Sequence, residues 1–247
     1  MIRGLYSAAS GITTQIAKND VYAANLANVS TAGYCGSRVS QTAFPRDLAI
    51  SNLLSGAPNF PGATDGLRGG VVVSAAGVDL SPGPISQTNN DFDLAISGDG
   101  FFCLNSPQGL IFTRSGQFQL DAGNTLVSQS GYPVLGLGGP IRLASGALTV
   151  DESGQVWDGD QLVDTLRIVT FADGSGLRKT EGGLVGGSGP QPATGCKIAQ
   201  GAIAGSNVRA MAEMSKMMTG LRLYEANVRA LQAQDESIAT LLREAVG

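Results

Sequence analysis

The sequence predicts an α+β fold, with long N- and C-terminal helices paired as a coiled coil and a central antiparallel all-β domain. Three observations carry that prediction. All ten prolines lie between Pro45 and Pro192, and most of the 35 glycines share that stretch, so only the two ends suit long helices. Each end carries apolar residues at alternating spacings of three and four, the mark of a helix with one sticky face. The middle breaks instead into short apolar runs separated by glycine.

At the N-terminus Ile2, Leu5, Ala9, Ile12, Ile16, Asn19, Ala23 and Leu26 keep the spacing without a break, with Asn19 as its polar position. The helix should end near Gly33, giving an N-terminal segment 1–34 and an extended region 35–75. At the C-terminus Ala210, Met214, Met217, Leu221, Tyr224, Val228, Leu231, Asp235, Ile238, Leu242 and Ala245 repeat the pattern, with Asp235 polar. Ser206 and Asn207 are its expected N-caps, because their short side chains accept hydrogen bonds from the first free N–H groups. Two such helices should pair, the second closing a segment 196–247. Met211 and Met218 lie off the seam and add apolar surface that one partner leaves uncovered.

Residues 76–195 form the expected β domain. Gly109, Gly116, Gly123 and Gly131 fall seven or eight residues apart and separate LIFTR, QFQL and TLVSQ, a pattern of antiparallel hairpins. Further strands are expected at 71–73, 94–96, 147–150 and 166–171. Residues 51–70 and the glycine-rich 181–195 read as irregular connections.

Composition narrows the function. The net charge of −4 and the lack of any Lys/Arg run argue against nucleic acid as a partner. No run approaches the roughly 18 apolar residues of a membrane span, and no Sec signal is expected at the N-terminus. Cys35, Cys103 and Cys196 are odd in number and lie outside any CxxC, which favours buried thiols over a disulfide framework or a zinc site. The chain has no histidine, so Ser-His-Asp and Cys-His catalysis are excluded. Asp91 with Asp93, Asp151 with Glu152, and Asp158 with Asp160 are the carboxylate pairs that could serve as acid and base or hold a cation, but Asp99, Asp121, Asp158 and Asp160 sit in glycine-containing turn sequence, where Asp caps backbone N–H groups. The expectation is no enzyme, no cofactor, no metal and no small-molecule substrate.

The sequence resembles a known family. Asn25-Leu26-Ala27-Asn28-Val29-Ser30-Thr31-Ala32-Gly33-Tyr34 is similar to the segment that ends the first helix of bacterial flagellar rod and hook proteins. Asp93-Leu94-Ala95-Ile96, Gly98-Asp99-Gly100-Phe101-Phe102, Phe112-Thr113-Arg114-Ser115-Gly116 and Gly131-Tyr132-Pro133 resemble their β core. Gly205-Ser206-Asn207-Val208, Arg222-Leu223-Tyr224-Glu225-Ala226-Asn227 and Gln232-Ala233-Gln234-Asp235 resemble their last helix. The resemblance implies a non-catalytic axial subunit, stacked helically with copies of itself and other rod subunits and exported by the flagellar type III apparatus. It places the chain in the periplasm-spanning rod of the basal body. Gly138-Gly139-Pro140-Ile141 and Asp151-Glu152-Ser153-Gly154 are closer to the proximal rod type, while the long connection 47–70 is closer to the distal one.

The implied assembly interface comprises Ile2, Leu5, Ile12, Ile16, Asn25, Leu26, Asn28, Gly33 and Tyr34 at one end. At the other it comprises Asn207, Met214, Met217, Leu221, Tyr224, Val228, Leu231, Ile238 and Leu242. Gly33 suits a left-handed helix end, and Asn25 and Asn28 suit hydrogen bonds that fix register. Two other readings stay open: an αα-hairpin that is only the core of a monomer, and a secreted adhesive or hydrolytic β domain with helical ends.

Overall fold

The computed structural model describes residues 2–43, 71–172, 174, 176–180, 182–187, 189–193 and 195–246, with side chains left out at 1–6, 42–76, 242 and 244–247. The expected connection 51–70 lies outside the described residues. The chain forms two compact units: Met1–Ala24 with Arg38–Ala76 and Ala210–Gly247, and Asn25–Ser37 with Gly77–Arg209.

The first unit holds most of helix α1 (Ile2–Ala27), helix α2 (Ala210–Val246) and most of a two-stranded sheet of Ser37–Ala43 and Val71–Val78. Helix α1 stops earlier than the expected end near Gly33. Past Ala27 the chain tightens, with Asn28 N–H bonding to Asn25 C=O at 3.2 Å, Val29 to Leu26 at 3.3 Å and Thr31 to Asn28 at 3.2 Å. These three-residue bonds use up the last free carbonyls of the helix.

The second unit is antiparallel β throughout its named pairings. A six-stranded sheet runs in the order Leu177–Thr180, Gly183–Gly186, Gly109–Thr113, Phe101–Ser106, Ile168–Thr170, Gln191–Pro192. The strands Gln161–Thr165, Gln155–Asp158 and Thr149–Val150 make a three-stranded sheet. Pairs are formed by Phe118–Leu120 with Leu126–Ser128, Lys197–Gln200 with Leu94–Ser97, and Ala202–Ala204 with Ile85–Gln87. The hairpins read from the glycine spacing are present. The glycine-rich 181–195 is not merely a connection: Gly183–Gly186 lies inside the large sheet, between Leu177–Thr180 and Phe112. Gly183 sits where a Cβ would fall 2.4 Å from Phe112 O, so glycine here admits a close neighbouring strand rather than marking a loop.

Phe101–Ser106 explains the placement of the core. Its side chains alternate between faces, and both faces are covered. Phe102 and Leu104 pack with Leu94, Ile96, Phe118, Leu126, Val134, Ile141, Leu143 and Val156. Phe101 and Cys103 pack with Phe112, Val169, Phe171, Leu177, Leu184 and Cys35. Edge-to-face rings support both clusters: Phe102 on Phe118 at 5.1 Å, and Phe112 on Phe171 at 4.9 Å. Gly116 closes the hairpin over Leu94, since a Cβ there would fall 1.5 Å from the Leu94 carbonyl oxygen. Among the described residues, no helix is long and apolar enough to cross a membrane.

Phe102 is fully buried and Leu137 is 74% exposed. Phe102→Ala should therefore destabilise the β unit by about 3–5 kcal/mol, whereas Leu137→Ala should change stability by no more than about 0.5 kcal/mol. Urea unfolding followed by near-ultraviolet circular dichroism measures both.

Candidate assembly interface

Within the first unit the two helices touch at three levels. A Cβ on Gly11 would sit 3.0 Å from Asn227 Nδ2, and one on Gly220 would sit 2.2 Å from Asn19 Oδ1 and 2.4 Å from Gln15 Nε2. The Lys216 ammonium stands 5.8 Å from the Tyr22 ring centre. As numbers rise along α1 they fall along α2, so the contacts run antiparallel. Glycine inside a helix costs about 1 kcal/mol relative to alanine, and at Gly220 it is what lets the second backbone approach.

This contact face is polar. Thr14, Gln15 and Glu213 are buried, and Glu213 holds Lys216 at 2.6 Å. Asn19 Oδ1 and Gln234 Oε1 are buried without hydrogen-bond partners. On α2 the positions Glu213, Gly220, Asn227 and Gln234 recur every seven residues, one residue before the Met214, Leu221, Val228 and Asp235 of the predicted seam. A one-residue offset turns a helix face by about 100°. Met214, 42% exposed, and Leu221, 46% exposed, consequently point away from the pairing, and on α1 Ile16 is 47% exposed. Ile12, Leu26, Met217, Tyr224, Val228, Leu231 and Ile238 are partly buried. The side chains of Ile2, Leu5 and Leu242 lie outside the described residues. Met211, Met214, Met218 and Leu221, spaced by three and four, form an exposed apolar stripe on α2.

The second unit holds the motif that follows α1. Asn25 is 3% exposed. Its Nδ2 donates to Ser37 C=O at 2.9 Å, while its Oδ1 accepts from Ser37 N–H at 2.8 Å and from the Tyr34 hydroxyl at 3.3 Å. The side-chain amide thus pairs with one residue's backbone as a neighbouring strand would. Asn28 Oδ1 accepts from the Thr31 hydroxyl at 3.3 Å. Gly33 has φ +66°, the left-handed conformation expected of it, and its N–H donates to Ala204 C=O at 2.8 Å. A Cβ there would fall 2.0 Å from Ser115 N, so space and conformation both demand glycine.

Asn207 does not act as a simple helix cap. Its Oδ1 accepts from Gly36 N–H at 2.7 Å, and its Nδ2 donates to the carbonyls of Asp79 at 2.9 Å and Ser81 at 3.0 Å. Ser206 Oγ instead accepts from Val208 N–H at 3.2 Å.

Beside Tyr34 lies a cavity of about 380 Å³. Cys35, Arg114, Gln117, Ser130 and Lys179 are among its walls. The Arg114 side chain is 5% exposed, its guanidinium carbon is 4.7 Å from the Phe101 ring centre, and its Nε and Nη2 are buried without a hydrogen-bond partner. Asp99, whose side chain is 80% exposed, approaches Nη2 only to 3.6 Å. Burial pulls the Arg114 pKa below its usual value and pushes the Cys35 thiol up, while Arg114 and Lys179 oppose the latter shift. The Lys179 ammonium lies 3.8 Å over the Tyr34 ring, and desolvation brings its pKa down to about 8 against the weaker pull of Cys35. Arg114 stood in the sequence only as part of a motif, and Lys179 carried no signal. Their meeting depends on strand pairing, which sequence spacing does not reveal.

Two of the carboxylates weighed as catalysts, Asp158 and Asp151, serve turns. Asp158 is held below the usual carboxylate range, first by the Ser145 hydroxyl and then by backbone N–H groups that include Ala144 at 2.6 Å. Asp151 is held low first by the Ser153 hydroxyl at 2.7 Å and also by Gln155 N–H at 2.9 Å.

Because the Lys179 pKa is depressed on folding, its burial opposes folding fully below about pH 8, and the unfolded chain holds the extra proton from there to 10.5. Stability should rise with pH across that window. Lys179→Met should raise the urea midpoint at pH 7 and lose that advantage toward pH 10.5. Amine acylation near pH 8, read by mass spectrometry, should label Lys179 ahead of Lys197, whose pKa the Glu152 carboxylate raises.

Comparison with known proteins matches the same three regions that carry these features. Residues 5–34 match the family described as "Flagella basal body rod protein", residues 95–161 the "Flagellar hook protein FlgE/F/G D1 domain", and residues 199–244 the "Flagellar basal body rod FlgEFG protein C-terminal". The chain is 31% identical to the flagellar basal-body rod protein FlgG of Bacillus subtilis, with 98% of each chain covered. It is 32% identical to the FlgF protein of Mesorhizobium japonicum over 96% of this chain and 97% of that one. It is also 32% identical to the FlgF protein of Caulobacter vibrioides over 100% of this chain and 97% of the relative. This likeness spans helices and β unit together, and it removes the reading as an adhesive or hydrolytic domain. The chain belongs to the flagellar basal-body rod protein family, whose members are structural subunits rather than enzymes.

Proposed function

We propose that this rod protein occupies the proximal rod as an axial subunit, its terminal helices forming an antiparallel coiled coil that docks on neighbouring copies and lines the export channel. The observation that carries the docking is the stripe Met211, Met214, Met218 and Leu221, exposed on α2 while Lys216, Gly220 and Asn227 make the contacts to α1. One face serves the pair and another serves neighbours. Ile16 on α1 adds to the outward surface. A contact between two different patches does not close on itself, so it propagates into a helical tube that transmits torque. Passage through the flagellar type III export apparatus accompanies this role. The proximal position is supported by the turn at Gly138-Gly139-Pro140 and by Asp151-Glu152-Ser153-Gly154, and the site needs no cofactor.

Met218→Asp combined with Leu221→Asp tests the docking surface. Both side chains are exposed, so the purified variant should unfold at the urea concentration of the parent, within about 0.5 kcal/mol. Swimming in soft agar should be lost, and the chain should be missing from isolated basal bodies. Normal swimming by the double variant would overturn the proposed interface.

A further inference from the structure

We infer that the cavity beside Tyr34 receives the carboxylate of an Asp or Glu presented by a neighbouring rod subunit, with Arg114 and Lys179 holding it. The inference rests on the rod reading above, since it requires a neighbour.

The strongest evidence is Arg114. Its two unpartnered donors, Nε and Nη2, share one edge of the guanidinium, and the paired oxygens of a carboxylate are the acceptors that match such an edge. Asp99 forms only a long ion pair with Nη2, at 3.6 Å, too far for a hydrogen bond, and remains largely in solvent. The face of the Phe101 ring partly compensates the cation but accepts none of its hydrogen bonds in the plane. A buried cation with open donors is an unfinished arrangement.

Lys179 gives the cavity a second positive group. Its ammonium rests on the Tyr34 ring, and among the described residues no carboxylate pairs with it. Among the described residues no Asp or Glu lines the cavity, while Gln117, Gln129 and Ser130 add neutral hydrogen-bonding groups to its walls. The chain as a whole has more carboxylates, 20, than lysines and arginines, 16. A cationic recess in an acidic protein is complementary to the general surface of another copy. The walls also include Gly33, Tyr34 and Cys35, so such a contact would bear on the segment that ends α1.

Zero-length coupling with carbodiimide tests this, because it joins an amine to a carboxylate only where the two already touch. Isolated basal bodies containing the chain are treated and the joined peptides identified by mass spectrometry. The internal pairs Lys197–Glu152, 2.7 Å apart, and Lys216–Glu213, 2.6 Å apart, report that coupling has worked. The expected result is Lys179 joined to an Asp or Glu of another subunit in the rod, with that product absent from the dilute chain. Arg114→Lys, which keeps the charge and loses the paired donors, should lower the yield of this product in assembled rods. Conjugates at Lys197 without any inter-subunit conjugate at Lys179 would overturn the inference. Equal shielding of Lys179 from acylation by sodium acetate in the dilute chain and by assembly in the rod would assign the cavity to a free anion, and would also overturn it. Absence of the chain from basal bodies would instead sink the rod reading, a result distinct from a chain that is present and gives no Lys179 product.

Discussion

The structure depends on two side-chain amides that stand in for backbone. Asn25 completes both hydrogen bonds of Ser37, and Asn207 ties Gly36, Asp79 and Ser81 to the approach of the second helix. Between them the Gly33 N–H reaches Ala204, and the Asn207 N–H reaches the Tyr34 carbonyl. Segments far apart in the chain therefore meet at one hydrogen-bonded node. A buried amide that both donates and accepts has a defined orientation, so it fixes register where apolar packing alone would slide.

Much of this node was legible beforehand, because its constraints are local. A glycine after a long apolar helix, followed by tyrosine, signals a left-handed end, and Gly33 adopts one. Hairpins at Phe118–Leu120 and Leu126–Ser128 follow from glycine spacing and alternation for the same reason. The partners of Asn25 and Asn207 were not legible. Their bonds to Ser37 and Gly36 depend on how the strand after Tyr34 returns, which no spacing encodes.

The helix seam shows a different limit. Apolar periodicity marks a surface that avoids water, but it does not say which partner covers it. Gly220 and Asn227 make contacts to the first helix, and Met214 and Leu221 are left outward, because backbones that approach at glycine need little side chain between them. The apolar seam is therefore split: Met217, Tyr224, Leu231 and Ile238 are partly buried, while Met214 and Leu221 are exposed. The same logic hid the strand Gly183–Gly186, where glycines admit a neighbouring strand and resemble a linker only in composition. Arg114 and Lys179 were hidden because charge in a sequence reads as surface until a fold encloses it.

The strand Phe101–Ser106 has a mechanical consequence. Phe102 and Leu104 belong to one apolar cluster, and Phe101 and Cys103 belong to the other, so a single strand is the common wall of two cores. Shear applied to either cluster displaces that wall against the other, and both sets of close-packed side chains resist together. Neighbouring strands on both sides add hydrogen bonds that must break along their whole length rather than one by one. Such a wall gives a small β unit torsional stiffness out of proportion to its size, the material property that a rotating shaft asks of each of its parts.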